Sequence, residues 1–393
     1  MPAALTLPSA PPLSVEPPGS GGRFGGGAAA VFLSLALAFH AACRPSPPAS
    51  RVPTVDEAGP EQVVVNYAPQ RLRALPAGNP ESSYLLLGSE RPLLPAVFRP
   101  LGVTARKAPP DVFARAGELA WVGGHVVVAA APKSPAAPQR VASVLVYDRD
   151  SKVATSAALP LPAACTELQP ALLHSDGREL YALVRCPAED AAVVLHLSEA
   201  AELRSAKWIA DAGAVELFLH RGEVDYLLAG ARLMRSDAAG KILTAALPDG
   251  GSAADGETRE LVHTGALLIA IDGHAGRLFA VDSDTLVLRF ERPLYSARPV
   301  TRLRAALGGP SQLVVVTAEQ GADAATQLVA VALPLAPAPR GAAFPTRILL
   351  GSGPPRSDHE LVPVAANDGG GVLLLRTHSG NTGPLVALTR LHL

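Results

Sequence analysis

The chain has 393 residues, of which 48% are hydrophobic and 18% charged, and its formal net charge is −1. Acidic and basic residues are interspersed, so the sequence offers no basic tract to hold a phosphate backbone. Aromatic residues make up 4% of the chain, too few for the stacking platforms that bind single-stranded nucleic acid. We therefore expect no nucleic-acid partner.

The N-terminal segment has the pattern of a leader. Residues 1–27 are rich in Pro and Gly, and the apolar run AAAVFLSLALAF follows at 28–39, with Arg23 before it. A run of this length suits the hydrophobic region of a signal peptide and is short for a bilayer span. We predict a signal or leader peptide over residues 1–42, which places the remaining chain outside the cytoplasm, in the periplasm or on the cell surface.

The sequence HAAC at residues 40–43 ends this leader. It resembles the lipobox of bacterial lipoproteins, in which the cysteine is acylated and becomes the new N-terminus, although His40 stands where that family has an aliphatic residue. The resemblance implies a lipid anchor on Cys43. Simple secretion after cleavage near 36–38, or an uncleaved anchor, are the alternatives. The Pro-rich residues 43–60 would then form an extended tether.

The pattern that organises the rest of the chain is clearest at residues 258–293. Four short apolar runs, rich in branched residues, are separated there by Thr264-Gly265, Asp272-Gly273 and Asp282-Ser283-Asp284. Strand-length runs divided by turn residues predict an antiparallel meander of four strands. Such a meander is the blade of a β-propeller.

The same turn, followed at once by an apolar strand, recurs roughly every 43 to 60 residues, close to the period of known propeller repeats. The recurring turns are Gly78-Asn79, Gly123-Gly124, Asp176-Gly177, Arg221-Gly222, Thr264-Gly265, Gly308-Gly309 and Asp368-Gly369. We predict an all-β propeller over residues 61–393 with seven four-stranded blades, six being the alternative because a proline interrupts the first blade. Residues 63–67 should complete the last blade and close the ring. Pro/Ala-rich inserts at 132–140 and 334–345 account for the two longest repeats.

The segment VDSDTL at 281–286, and more loosely VYDRDSKV at 146–153, resembles the repeats of YVTN/NHL-like β-propellers. The resemblance implies that architecture for most of residues 61–393. It carries no functional residue with it.

Candidate site residues are few. His125, His174, His220 and His263 lie within three residues of the recurring turns in four consecutive repeats. They could line one rim and bind a metal or an anion, or they could be unrelated polar turn residues. The Asp-rich turns at 272–274 and 282–284 lack the full calcium-loop signature, and the SDHE sequence at 357–360 is expected to be a solvated loop. We predict no catalytic residue and no cofactor.

Cys165 and Cys186 flank the turn at Asp176-Gly177 almost symmetrically. A hairpin would bring them nearly opposite each other, and a bulge or loop could absorb the mismatch. In an oxidising compartment we expect a disulfide between them, with two buried free thiols as the alternative.

These observations favour a monomeric, membrane-tethered propeller that acts as a non-catalytic binding or assembly platform. Its partner would be an envelope protein or a small ligand that the sequence does not identify. Two other functions stay open. One is a metal-dependent hydrolase of the lactonase-like type, and the other is a structural lipoprotein without a ligand.

The anchor can be tested directly. We expect Cys43→Ser to release the protein from membranes into the soluble fraction, because the acyl chains supply the membrane affinity. The measurement is the distribution of the protein between pelleted membranes and supernatant. Membrane retention of the variant would contradict acylation at Cys43.

Overall fold

The computed structural model describes residues 171–248, 258–294, 298–309, 311–321 and 325–337 almost without interruption, and elsewhere mainly the strands between Thr54 and His392. The described strands all belong to one compact unit, residues 51–393. The predicted leader, the lipobox and Cys43 lie outside the described residues. In the described part, no helix is long and apolar enough to cross a membrane.

The described strands are antiparallel and form seven sheets, which we number in chain order. Two short N-terminal strands come first, β1 (Thr54–Val55) and β2 (Glu61–Val64). Sheet 1 contains β3 (Arg71–Pro76), β4 (Ser83–Gly88), β5 (Leu94–Arg99) and β6 (Gly102–Ala105). Sheet 2 contains β7 (Leu119–Val122), β8 (His125–Ala130), β9 (Ser143–Tyr147) and β10 (Val153–Ala158). Sheet 3 contains β11 (Leu172–Ser175), β12 (Leu180–Cys186), β13 (Ala191–Leu197) and β14 (Leu203–Ile209). A 3₁₀ turn, Pro187–Glu189, follows β12.

Sheets 4 to 6 repeat the same meander, and sheet 7 draws on both ends of the chain. Sheet 4 contains β15 (Val215–Arg221), β16 (Val224–Ala229), β17 (Arg232–Ser236) and β18 (Ile242–Ala246). Sheet 5 contains β19 (Arg259–His263), β20 (Leu267–Asp272), β21 (Arg277–Asp282) and β22 (Leu288–Pro293). Sheet 6 contains β23 (Val300–Gly309), β24 (Gln312–Gln320), β25 (Thr326–Pro334) and β26 (Arg347–Gly353). Sheet 7 contains β27 (His359–Pro363), β28 (Val372–Gly380) and β29 (Gly383–His392), together with β1 and β2.

Burial explains why the strands read as continuous apolar runs rather than as alternating ones. In β12 and β20 nearly every residue is buried, whereas the fourth strands β14 and β18 are largely exposed. A strand that is covered on both faces must be apolar on both faces. The middle strands are covered because neighbouring sheets pack against them, and residues such as Leu183 and Leu227 share one apolar cluster between sheets 3 and 4.

The first strands of the sheets contact one another in chain order, and β27 of sheet 7 contacts β3 of sheet 1. Four-stranded meanders joined in this way are the architecture of a β-propeller, as predicted. Within sheet 5, the fourth strand begins at Leu288, two residues later than the sequence pattern suggests. The count of blades stays a prediction, because parts of the connections between the sheets lie outside the described residues.

Sheet 7 is completed by the N-terminal strands. Strand β2 pairs with β29, with Val63 opposite Val386, so an N-terminal strand joins the last sheet as predicted. That strand covers Glu61–Val64 rather than residues 63–67. Strand β1, which lies within the segment predicted as a tether, also pairs with β29, with Thr54 opposite His392. The ten residues of β29 give room for both short partners.

One end of the sheets is defined by the turns between first and second strands, at Gly123, Gly177, Gly222 and Gly265, and we call it the turn face. In an antiparallel meander the connection between third and fourth strands returns to this same end. The backbone N–H of Gly123 donates to the carbonyl of Gly177 at 3.1 Å, which aligns sheets 2 and 3 there. At Gly177 φ is 93°, a value that favours glycine. The recurring turn predicted at Gly308-Gly309 falls two residues later, since both residues end β23.

The two inserts leave the sheets at opposite ends. Residues 132–140 connect second strand β8 to third strand β9, whereas residues 334–345 connect third strand β25 to fourth strand β26. The first insert therefore leaves at the end opposite the turn face, which we call the far face. The second leaves at the turn face.

A buried ion cluster joins sheets 4 and 5. The side chain of Arg259 is 1% exposed, and its guanidinium donates to Asp272 at 2.7 Å and to Glu216 at 3.0 Å. It also donates to the carbonyl of Gly230 at 2.8 Å. A fixed cation here compensates two carboxylates that have lost much of their hydration.

We expect Arg259→Leu to lower the free energy of unfolding by roughly 3 to 5 kcal/mol, because the two carboxylates lose their partner. Thermal or urea unfolding measures the change. The control is Arg289→Leu, which removes the exposed partner of Asp282 and should leave the melting temperature nearly unchanged because solvent screens that pair. Equal melting temperatures for both variants would contradict the role of Arg259.

Candidate functional site

The four predicted histidines all lie at the turn face. His174, His220 and His263 stand at or near the ends of the first strands β11, β15 and β19, and His125 begins β8. Their surroundings differ, so each is considered by its own contacts. The site around them, which we call the turn-face cluster, consists of His174, Glu179, Tyr181, His196, Lys207, His220, Arg221 and Asp225.

His220 is the centre of this cluster. Its Nδ1 lies 2.7 Å from Oδ1 of Asp225, and its Nε2 lies 2.5 Å from the carbonyl oxygen of Gly222. Both ring nitrogens therefore face oxygen atoms. The ring stacks on Tyr181 of sheet 3, with centroids 3.5 Å apart and planes 15° apart.

Asp225 connects this histidine to the neighbouring sheet. The residue is 1% exposed, and its second carboxylate oxygen contacts Nζ of Lys207 from sheet 3. The same Nζ donates to the carbonyls of Ser236 and Asp237, each at 3.2 Å. Because one oxygen of Asp225 bonds His220 of sheet 4 and the other contacts Lys207 of sheet 3, its carboxylate links the two sheets.

A second group surrounds Tyr181 within sheet 3. His196 stacks on it with centroids 4.9 Å apart, and Nε2 of His196 lies 2.6 Å from Oε2 of Glu179. The Tyr181 hydroxyl donates to that same oxygen at 3.2 Å, while Arg204 donates to Oε1. Burial by itself would raise the pKa of Glu179, but its contacts with His196 and Arg204 lower that pKa below its ordinary value. Burial and the neighbouring negative charge of Glu179 raise the pKa of Tyr181 to about 12.

Sequence reasoning missed Tyr181 and His196, although a signal for them exists. His174, Tyr181 and His196 lie directly opposite one another on β11, β12 and β13. Pairing the strands antiparallel about the Asp176-Gly177 turn would have placed all three in one row, where side chains of neighbouring strands interact.

Among the described residues, no carboxylate is hydrogen-bonded to His174 or His263. Nε2 of His174 is buried and makes no hydrogen bond to the described residues. Burial, with the positive charge of Arg221 and of His220 in addition, lowers the pKa of His174 to about 4. Burial and Arg221 also lower the pKa of His263, whose Nδ1 accepts from the N–H of Gly265 at 3.1 Å. Arg221 thus favours the neutral form of two histidines.

The structure does not gather the four histidines into a metal site. Among the described residues, the one group of His, Cys, Asp or Glu ligand atoms close enough to hold a metal comprises Cys165, Cys186 and Glu189. The structure places Cys165 and Cys186 in a disulfide with Cα atoms 5.1 Å apart. Metals bind thiolates, so the bonded sulfurs are not ligands while the bond is intact.

The three Asp-rich and His-containing turns have ordinary structural roles. Oδ1 of Asp272 accepts from the N–H groups of His274 and Ala275 at 2.9 Å, as a turn aspartate does. Asp282 accepts in the same way from Thr285 at 3.0 Å. His359 corrects the expectation of a solvated loop, because it is 0% exposed and its Nε2 lies 3.0 Å from the carbonyl of Val316. The side chain fills the contact between sheets 6 and 7.

Comparison with known proteins shows the fold. No family model and no curated protein matches the sequence. The WD40 domain of coronin from Toxoplasma gondii is similar over 86% of both chains, with 11% identity and a TM-score of 0.52. Hsv2 from Kluyveromyces lactis covers 79% of this chain and 95% of its own, with 10% identity and a TM-score of 0.43. A candidate 6-phosphogluconolactonase from Bacteroides fragilis covers 80% and 95%, with 11% identity and a TM-score of 0.44.

The likeness to the coronin domain confirms the β-propeller class although the Trp-Asp dipeptide of WD repeats is missing from this sequence. At such low identity it shows the fold alone, and no functional residue is transferred. The chain is therefore a β-propeller whose function must be argued from its own surfaces.

The turn-face cluster makes stability depend on pH. Between pH 6.5 and about 4, the folded protein keeps His174 neutral while the unfolded chain takes up the proton. This contribution is complete above pH 6.5 and is lost as the pH falls, by roughly 1 to 2 kcal/mol at pH 5.

We expect His174→Phe, which keeps a ring without a titrating group, to lose less stability than the wild type between pH 7 and pH 5. Chemical denaturation at both values measures the difference. His274→Asn, at an exposed turn position, should behave as the wild type. Identical pH dependence in wild type and His174→Phe would contradict the assignment.

Proposed function

We propose that the protein is an extracytoplasmic β-propeller, tethered to a membrane through Cys43, that acts as a non-catalytic binding platform for an envelope partner. The observation that carries the proposal is that the carboxylates of the turn-face cluster are bonded to other groups of the protein. Both oxygens of Asp225 and both oxygens of Glu179 are bonded to basic or hydroxyl groups of the protein itself. General acid–base chemistry needs such groups within reach of a substrate, and here they join strands and sheets instead.

The insert at 132–140 supports a partner surface on the far face. In sheets 3, 4 and 5 the second and third strands are joined by short connections, such as that from Ala229 to Arg232. In sheet 2 the corresponding connection runs from Ala130 to Ser143. A connection this much longer than its neighbours supplies more residues for contacts, and loops on a rigid scaffold are where binding residues concentrate.

The partner surface is tested by exchanging one insert at a time. Residues 132–140 are replaced by a Gly/Ser segment of equal length, and residues 336–345 are replaced likewise as the matched control at the turn face. Each protein is cross-linked in envelope preparations, and the cross-linked species are compared. We expect a discrete adduct to be lost with the first exchange and kept with the second, with both melting temperatures near that of the wild type. An adduct that survives the first exchange would contradict the far-face assignment.

A separate measurement of metal binding tests the proposal that the platform is non-catalytic. Purified Cys43→Ser protein is incubated with calcium, zinc or manganese, and bound metal and thermal stability are measured. A stoichiometric metal with a rise of several degrees in melting temperature would favour the metal-dependent hydrolase over the platform. We expect neither effect.

A further inference from the structure

The exposed apolar residues of the described chain are unevenly distributed between the two faces. Six large hydrophobic residues are exposed, and four of them lie where the fourth strands of three neighbouring sheets begin at the turn face. These four, which we call the apolar rim, are Leu203 in sheet 3, Ile242 in sheet 4, and Val287 and Leu288 in sheet 5. Of the other two, Leu349 lies in the middle of β26, and Trp208 lies near the far-face end of β14.

The repetition sets this rim apart from apolar residues scattered singly over a surface, which are common. Leu203, Ile242 and Leu288 are each the first residue of a fourth strand, and Val287 adjoins the last of them. Equivalent positions in three consecutive sheets place them along one edge of the turn face. Exposed apolar residues repeated along one edge suit a contact with another phase or another molecule.

The N-terminal strand enters the fold at the same face. Strand β1 pairs with the last residues of β29, where Val55 is opposite Leu391. Leu391 is in turn opposite Val372, which is opposite Pro363 at the end of β27. Since first strands end at the turn face, β1 lies at the turn face as well. In the cycle of contacts, other sheets separate sheet 7 from the sheets of the apolar rim on both sides.

The length of chain before β1 decides which face can approach a membrane. From Cys43 to Thr54 there are 11 peptide steps, which span at most roughly 40 Å when fully extended. The ten residues of β29 cover about 33 Å of strand. A far-face orientation would use most of that reach to pass along the sheet, whereas the turn-face orientation uses none of it.

The residues beside the apolar rim also suit a lipid headgroup region. A basic residue adjoins three of the four rim residues in the sequence, namely Arg204 beside Leu203, Lys241 beside Ile242 and Arg289 beside Leu288. Basic side chains next to shallowly inserted aliphatic ones are typical of interfacial membrane contacts. Arg204 and Arg289 also bond carboxylates in the structure, so we expect the apolar contact to outweigh attraction to anionic lipid.

We propose that the protein lies with its turn face on the bilayer, with the apolar rim inserted among the lipid headgroups and the far face directed away. The proposal rests on the lipid anchor of the proposed function. It adds an orientation of the propeller to that anchor. The tether enters at sheet 7 and the apolar rim lies on sheets 3 to 5, so both would keep the turn face against the bilayer. The 132–140 insert then points toward soluble or envelope-bound partners.

The test uses the full, acylated chain on vesicles. Because Cys43 is acylated and the other two cysteines form the disulfide, an introduced cysteine is the one free thiol. It is introduced either by Val287→Cys at the rim or by Trp208→Cys at the far-face end of β14. The thiol is labelled with an environment-sensitive fluorophore, and the protein is added to phosphatidylethanolamine vesicles that carry a spin-labelled quencher lipid, with and without phosphatidylglycerol. Pelleting of the vesicles reports the anchor, and the ratio of quenching at the two sites reports the face.

We expect the protein to pellet and the Val287→Cys label to be quenched several-fold more strongly than the Trp208→Cys label, with little dependence on phosphatidylglycerol. The combined Leu203→Ser, Ile242→Ser and Leu288→Ser variant should still pellet while the quenching at position 287 falls toward that at position 208. These exposed substitutions should leave folding intact, which the melting temperature checks.

The other outcomes separate the two proposals. Pelleting with equal quenching at both sites would overturn the orientation and leave the anchor standing. Protein that stays in the supernatant would overturn the anchor and the orientation together. Shielding of the Val287→Cys label by a second copy in detergent, without quenching by lipid, would assign the apolar rim to self-association and overturn the membrane contact.

Discussion

The whole fold depends on covering both faces of each sheet. A strand such as β20, in which five of six residues are buried, would expose a large apolar area if its sheet stood alone. At about 25 cal/mol per Å² of apolar surface, this exposure would exceed the marginal stability of a domain. Neighbouring sheets remove the problem by packing in sequence, and the contact between β27 and β3 leaves no sheet at the start or end of the row uncovered.

Buried ion pairs and hydrogen bonds link neighbouring sheets in addition to this apolar packing. Arg259 with its two carboxylates joins sheets 4 and 5, and Asp225 with Lys207 and His220 joins sheets 3 and 4. Buried charges are expensive unless they are paired and hydrogen-bonded. Because these charged groups bond one another, they contribute to the alignment of neighbouring sheets.

The proposed orientation on a membrane rests on a different kind of constraint, namely chain length. An anchor alone permits many orientations, and a shallow apolar rim alone binds weakly. Joined by a short segment on the same face, they reinforce each other, since the segment keeps the rim at a high effective concentration near the lipid surface. The far face and its insert are then left for partners in the surrounding compartment.

The sequence by itself determined the fold class and most of the strands and turns, because the spacing of apolar runs and turn residues is local information. The meander of sheet 5 and the joining of an N-terminal strand to the last sheet could both be read from it. It could not place His220 on the ring of Tyr181, nor show that His359 is buried against Val316. Those contacts depend on how the side chains of neighbouring sheets pack face to face. For the same reason only the tertiary structure decided that the predicted histidines are not a shared ligand set, that the two inserts leave at opposite ends, and that the apolar rim and β1 share one face.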